Sequence, residues 1–308
     1  MVKFSDTGIY KSATGLITKI GEMKTLPKYE CSFSHPMEGS FVELLNNSYL
    51  RTVLNKVVEK QYADKIEALY SGGIKIKSKS HPFVYHILKT CSDRLNLNEI
   101  PNLIITNELH GINALTLGSD HFSFIALSRG ATVWLNEQEL LFLIGHECGH
   151  IIQNNLSVHT IYGTLESSKI SSPVLSSMVS DLIEVPINYW HRCSEITADR
   201  AGLICCRDLE TGKRMLIGAD ISFDFESISN WDDYSRKYID NHKNDIKQNY
   251  FEIGNKHPMT TKRVEALDTF MNFMNLGLKK TEIWTNIHLL NIDNDLNKRI
   301  ELLVKENV

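Results

Sequence analysis

The segment HECGH at residues 146–150 combines residue types that bind metal ions and transfer protons. If the segment is helical, His146 and His150 lie on the same face, so both imidazoles can reach one ion. Glu147 lies one position further round, where its carboxylate can reach a water at that ion. The same pentapeptide also occurs by chance, so a buried helix with two incidental histidines is the alternative interpretation.

The residues around this pattern favour a helix. Asn136 is a good N-cap, and Glu139 stands at the position that completes a capping box. Apolar residues follow at helical spacing: Leu140, Leu141, Ile144, Cys148, Ile151 and Ile152. Because Cys148 is turned by about 200° from His146 around such a helix, we expect it to face the core and not to bind the ion.

A catalytic zinc ion usually has three protein ligands and a water, so a third ligand should lie downstream. The best candidate segment is HRCSEITADRAGLICCR, residues 191–207. On a helix, Glu195 can be the third ligand, and Asp199 can accept a hydrogen bond from a ligand imidazole. Ala198 and Gly202 are small, which allows close approach to the first helix. The alternative is a pair of solvated acids, but these acids stand among small and apolar residues.

The bulk properties are those of a soluble globular protein. The chain has 308 residues, 42% hydrophobic and 23% charged, which suits one large domain or two small ones. A net charge of −4 argues against a surface whose main task is to bind nucleic acid. We therefore expect no nucleic-acid partner. The pattern at residues 146–150 favours a peptide or protein substrate, and the sequence does not indicate an oligomeric state.

Cysteines and hydropathy indicate the compartment. The six cysteines form no C-x-x-C pair, which favours buried thiols in a reducing environment. The first residues lack the apolar core of a signal peptide. No stretch reaches the roughly 18 apolar residues of a membrane helix, and the nearest candidate, 173–190, carries Asp181 and Glu184. We expect a cytoplasmic protein without transmembrane helices.

The wider pattern predicts an α+β fold that is mainly helical. Strand-like runs at 102–106, 113–117 and 122–127 indicate a small mixed or antiparallel sheet before the His146 helix. Such a sheet can offer an open edge to an extended peptide. The predicted parts are an N-terminal extension (1–40), a helical N-terminal part (41–100), a core (101–275) and a C-terminal helical tail (276–308), packed as one globular unit.

Four short motifs in this order resemble those of the HtpX-like and CAAX-prenyl-protease-like zinc metallopeptidases, a gluzincin group. The resemblance runs from about residue 101 to 267 and implies a zincin-type domain that holds one catalytic Zn²⁺. The motifs are Asn113-Ala114, His146-Glu147-x-x-His150, Glu195-x-x-Ala198-Asp199 and His257-Pro258-x-x-x-x-Arg263.

The resemblance also implies roles for residues that the spacing alone would not single out. Asn113 and Ala114 would bind substrate on the strand before the metal helix. Pro258 suits the first turn of a helix, which leaves His257 near its positive end, where it can donate to an oxyanion. Arg263 would add a second positive charge or order the site by pairing with an acid.

The sequence thus predicts a zinc metalloendopeptidase in which Glu147 is the general base. Better-known members of the resembling group are commonly integral membrane proteins, whereas residues 151–190 have polar interruptions, which puts membrane substrates in doubt. Two alternatives stay open. One is a zinc-stabilised binding or chaperone-like protein without turnover, and the other is a latent protease whose cleft is covered by the N-terminal segment or by residues 155–190.

Overall fold

The architecture comes from a computed structural model, which describes residues 33–35, 38, 52, 55–56, 58–59, 63–119, 122–153, 156–160, 181–225, 227–243 and 258–276. The helices bounded in these ranges are α1 (Ala63–Gly72), α2 (Pro82–Arg94), α3 (Arg129–Trp134), α4 (Glu137–Ile152), α5 (Asp181–Cys206), α6 (Leu209–Asp220), α7 (Trp231–Lys243) and α8 (Thr260–Leu276). The strands are β1 (Ile74–Lys75), β2 (Asn102–Thr106), β3 (Ala114–Ser119) and β4 (Phe122–Ser128). Residues 156–160 are also helical.

The four strands form one mixed sheet in the order β1-β2-β4-β3. The pairs β1–β2 and β3–β4 are antiparallel, whereas β2 and β4 are parallel. β2 pairs with β4 on the side of β4 that faces away from β3, and these two central strands run parallel. The predicted α+β class is confirmed, and the sheet is the mixed alternative. β3 forms one edge of the sheet.

Helix α4 lies at the centre of the molecule and contacts α2, α5, α6, β3 and β4. Its first turn has the predicted capping box. Oδ1 of Asn136 accepts the amide N–H of Glu139 at 3.1 Å, and Oε2 of Glu139 accepts the amide N–H of Asn136 at 3.0 Å. Apolar side chains of α2, α4 and α5 then fill the main core, among them Ile87, Leu88, Leu140, Ile144, Cys148 and Leu203.

Small residues bring α4 and α5 into unusually close contact. A Cβ atom added at Gly149 would lie 2.8 Å from Cα of Ala198, and one added at Gly202 would lie 2.8 Å from the carbonyl oxygen of Phe142. Larger residues at these positions would push the helices apart. The close approach predicted from Ala198 and Gly202 is therefore present.

Several predicted boundaries differ. The strand predicted at residues 113–117 spans Ala114–Ser119. The last described helix begins at Thr260 and not at Pro258, and the carbonyl of Met259 accepts the N–H groups of Lys262 and Arg263. The predicted C-terminal tail and most of the N-terminal extension lie outside the described residues. Within the described ranges, no helix is both long and apolar enough to cross a membrane.

Candidate metal centre

Three buried side chains from α4 and α5 converge on one point. Nε2 of His146 and Nε2 of His150 are 3.2 Å apart. The carboxylate of Glu195 lies 3.8 Å from the first nitrogen and 3.5 Å from the second. In the part of the chain that the structure describes, these three residues form the one His, Cys, Asp and Glu group close enough to hold a metal ion.

The hydrogen bonds of the two histidines leave their Nε2 lone pairs facing each other. Nδ1 of His146 lies 3.0 Å from the carboxylate of Asp199, which can only accept, so this nitrogen carries the proton. Nδ1 of His150 lies 3.4 Å from Oγ of Ser194, and that hydroxyl donates its proton to Gln153. Both Nε2 atoms are then acceptors, and a cation between them satisfies both.

The spacing also fits zinc. Ligands 2.0–2.1 Å from a tetrahedral ion are about 3.3 Å from one another. The observed separations of 3.2, 3.5 and 3.8 Å lie around this value. Two imidazoles and one carboxylate are a donor set that zinc prefers at catalytic sites, where the fourth position is left for water. The residues present therefore fit a catalytic Zn²⁺.

A chain of charged contacts holds His146 through its Nδ1 atom. Arg263 on α8 donates from Nε and Nη2 to the two oxygens of Asp199, at 2.7 and 2.6 Å. Nη2 of Arg263 also lies 3.4 Å from the carboxylate of Glu195. Because the guanidinium neutralises a buried acid, the pKa of Asp199 is lowered even though burial alone would raise it.

Glu147 is buried beside the ligands and is held by the edge strand. Oγ1 of Thr116 donates to Oε2 of Glu147 at 2.6 Å, and the same hydroxyl lies 3.1 Å from the Glu147 carbonyl oxygen. Burial raises the pKa of Glu147, while His146 and the Thr116 bond oppose that rise. A buried carboxylate of raised pKa suits a group that accepts a proton and returns it.

The pKa values of His146 and His150 are shifted in opposite directions. Burial, together with the neighbouring His159, lowers the pKa of His150 well below its usual value and keeps the ring neutral, the form that binds metal. Burial also disfavours the charged form of His146, but the Asp199 hydrogen bond and the Glu195 carboxylate outweigh it and raise its pKa. The negative surroundings of His146 would equally favour a bound cation.

The remaining predicted residues divide into three groups. Asn113 is exposed and Ala114 half-buried where β3 begins, and the amide of Asn113 is bonded to Ser128. His257 lies outside the described residues. Cys148 is completely buried in the main core, as expected, and is not part of the cluster.

Sequence reasoning missed several neighbours of the site. Thr116 hydrogen-bonds with Glu147, Ser194 contacts His150, and Gln153 accepts the hydroxyl proton of Ser194. The ring of His159 stacks on His150 at 4.0 Å between centroids, and His191 lies 3.7 Å from the Glu195 carboxylate. The position of His191, one helical turn before Glu195, was the one signal that could have indicated its proximity.

The chain matches a known protein family. A model of the family described as Peptidase family M48 matches residues 79–271, which is more than half of the chain. The match begins before the resemblance noted from the motifs and includes α2, the whole sheet from β2 onward, and both ligand helices. A search among curated proteins finds no match.

Proposed function

The chain belongs to peptidase family M48, and on this premise we propose that it is a zinc metalloendopeptidase whose ligands are His146, His150 and Glu195. Membership makes the chain a peptidase at the level of the family. The observation that carries the finer proposal is the 3.2 Å approach of the Nε2 atoms of His146 and His150 beside the carboxylates of Glu195 and Glu147. A structural zinc site closes all four positions with protein ligands and has no need of a base.

The proposed chemistry divides between the ion and the chain. When bound, Zn²⁺ would polarise the scissile carbonyl and lower the pKa of a water. Glu147 takes the proton of the attacking water and passes it to the leaving amine. The Thr116 hydroxyl orients that carboxylate through its 2.6 Å hydrogen bond. Asp199, held by Arg263, fixes the tautomer of His146 through Nδ1.

The outer edge of β3 is the proposed substrate-binding surface. The carbonyl of Asn113 accepts the amide of Ser128 on the β4 side, so the N–H and C=O groups of Ala114 and Thr116 point away from β4. An extended peptide that adds to this edge would place its backbone next to Glu147, because Thr116 contacts that residue directly. Asn113, exposed at the start of the edge, would contact the same peptide.

Two further assignments complete the proposal. His257 as the oxyanion donor rests on the His-Pro-x-x-x-x-Arg pattern alone, in which Arg263 is the residue found at the site. A cytoplasmic location rests on the thiols, since the described cysteines 91, 148, 193, 205 and 206 are buried and in the thiol form.

Metal analysis and a peptide-library digest, with and without a chelator, test the proposal. We expect about one zinc per chain and cleavage that stops with the chelator and returns when zinc is added. Zinc without cleavage would instead favour a zinc-stabilised binding protein or a latent protease, and cleavage that a chelator leaves unchanged would contradict the proposed mechanism.

A further inference from the structure

The edge of β3 is closed at one end by a side chain from outside the sheet. Oγ1 of Thr160 accepts the amide N–H of Gly118 at 2.9 Å and donates to the Gly118 carbonyl at 2.7 Å. Both backbone groups of Gly118 therefore face away from β4, as the alternation along the strand requires. The Thr160 hydroxyl occupies the position that the backbone of a strand added to the β3 edge would take at Gly118.

The helical segment that carries Thr160 is described at residues 156–160 and contacts several other parts of the molecule. His159 stacks on the ligand His150, with ring planes 24° apart. Ser157 donates to Asn55, and the side chains of Leu156 and Val158 are buried. These contacts place the helix against the β3 edge and beside the metal ligands at the same time.

A peptide that adds to β3 would pair with Ala114, which is half-buried, and with Thr116, which is completely buried, and it meets Thr160 at Gly118. Antiparallel addition is the more favourable arrangement, and it directs the N-terminal side of the peptide toward Gly118. We propose that Thr160 is a specificity-determining residue that closes the N-terminal side of the substrate cleft, so that only a few residues are accommodated before the scissile bond. This inference rests on the proposed peptidase function of the site and narrows its substrates to peptides cleaved near their N-termini.

The hydroxyl of Thr160 provides a matched pair of substitutions. Thr160→Ser retains the group that bonds Gly118, whereas Thr160→Val retains the volume and loses both hydrogen bonds. The buried N–H and C=O of Gly118 would then lack their partner, which favours displacement of the 156–160 helix and pairing with an incoming peptide. Thr160→Ala removes the same bonds with less bulk and serves as the second variant if the valine variant does not fold.

Binding without turnover separates this inference from the proposed function. The probe is a set of C-terminally fluorescein-labelled peptides with one alanine- and leucine-containing core, extended stepwise by alanine at either end. Affinity is measured by fluorescence polarisation on the zinc-loaded Glu147→Gln chain, alone and with each Thr160 substitution. Cleavage of the same peptides is measured with Glu147 intact.

We expect affinity and kcat/KM to fall about tenfold once N-terminal extension reaches Gly118, and C-terminal extension to have little effect. Thr160→Ser keeps this limit, and Thr160→Val or Thr160→Ala removes it. Equal binding of short and N-terminally extended peptides, an unchanged limit in both the valine and alanine variants, or no peptide binding at all would overturn the inference. A length limit in binding without any cleavage by the parent would refute the proposed function, and only the limit that Thr160 sets on bound peptides would stand.

Discussion

Nδ1 of His146 lies 3.0 Å from the carboxylate of Asp199, although the two residues are on different helices. Because the Asp199 carboxylate accepts a hydrogen bond from Nδ1, this nitrogen carries the proton of the neutral imidazole, and Nε2 can bind a metal ion. Asp199 is in turn bound through both oxygens by Arg263. Residues from α4, α5 and α8 are thus linked behind the ligand set, and the orientation of one ligand depends on all three helices.

Replacing Asp199 by asparagine tests this link. Asparagine can still accept from Nδ1, but it lacks the charge that favours cation binding and pairs with Arg263. We expect zinc affinity to fall about 10–100-fold, measured by competition with a chromogenic chelator. Asp233→Asn, at a position on α7 that pairs with Lys237 away from the site, is the control. An unchanged zinc affinity in Asp199→Asn would show that the contact does not support the metal.

The contact between α4 and α5 predicts a second effect. In Gly149→Ala the new methyl would lie 2.8 Å from Cα of Ala198 and 2.9 Å from Cβ of Ala201. We expect a loss of about 1–3 kcal/mol in the free energy of unfolding, measured by urea denaturation, together with weaker zinc binding because the ligands are on both helices. Gly72→Ala is the matched control, since nothing lies within 4 Å of a Cβ at that position. Equal losses in both variants would contradict the close-packing explanation.

Thr116 predicts a kinetic effect that is separate from folding. Thr116→Val removes the hydroxyl that orients Glu147, and a hydrogen bond to a charged group contributes about 1.5–3 kcal/mol. We expect kcat to fall about tenfold or more, with KM and zinc content nearly unchanged, whereas Thr116→Ser restores most of kcat. Steady-state kinetics on one fluorogenic peptide measure both. A valine variant that cleaves as fast as the parent, or a serine variant as impaired as the valine variant, would show that the hydroxyl alone does not account for the role of Thr116.

Glu38 predicts a pH dependence of stability. This side chain is buried against α5, where Oε2 accepts from Thr197 at 2.7 Å, and burial raises its pKa to about 8 despite the Thr197 bond and nearby Arg200. The folded state therefore holds a proton that the unfolded state releases near its ordinary value of 4.5. The stabilisation is complete below the unfolded pKa and is lost as the pH rises toward 8.

Urea denaturation of the parent and of Glu38→Gln across this pH range measures that contribution. We expect the free energy of unfolding of the parent to decline relative to the variant as the pH rises, because glutamine keeps the acceptor and cannot ionise. A constant difference between the two proteins at every pH would mean that Glu38 does not titrate in this window.

The convergence of His146, His150 and Glu195 was predictable because helical spacing indicates which side chains share a face. His146 and His150 are one turn apart, as are Glu195 and Asp199, and the small residues 198 and 202 indicated where the two helices would meet. The fold class followed for the same reason, since strand-like runs preceded a strongly capped helix.

The contacts from the sheet edge were not predictable. Thr116 reaches Glu147 across 31 residues, and Thr160 reaches Gly118 across 42. Neither threonine differs in local pattern from an ordinary strand or helix residue, so their roles depend on tertiary packing. The parallel pairing of β2 with β4 was likewise not predictable, because the apolar residues of a strand do not determine which strand it pairs with or in which direction.

The most direct test of the central claim is the Glu147→Gln variant. Glutamine has nearly the same shape and can still accept from Thr116, but it cannot take a proton. We predict that the variant keeps its zinc content and its fold. Its kcat on a peptide that the parent cleaves should fall about 100–10,000-fold. A variant that holds zinc and cleaves that peptide as fast as the parent would contradict the account.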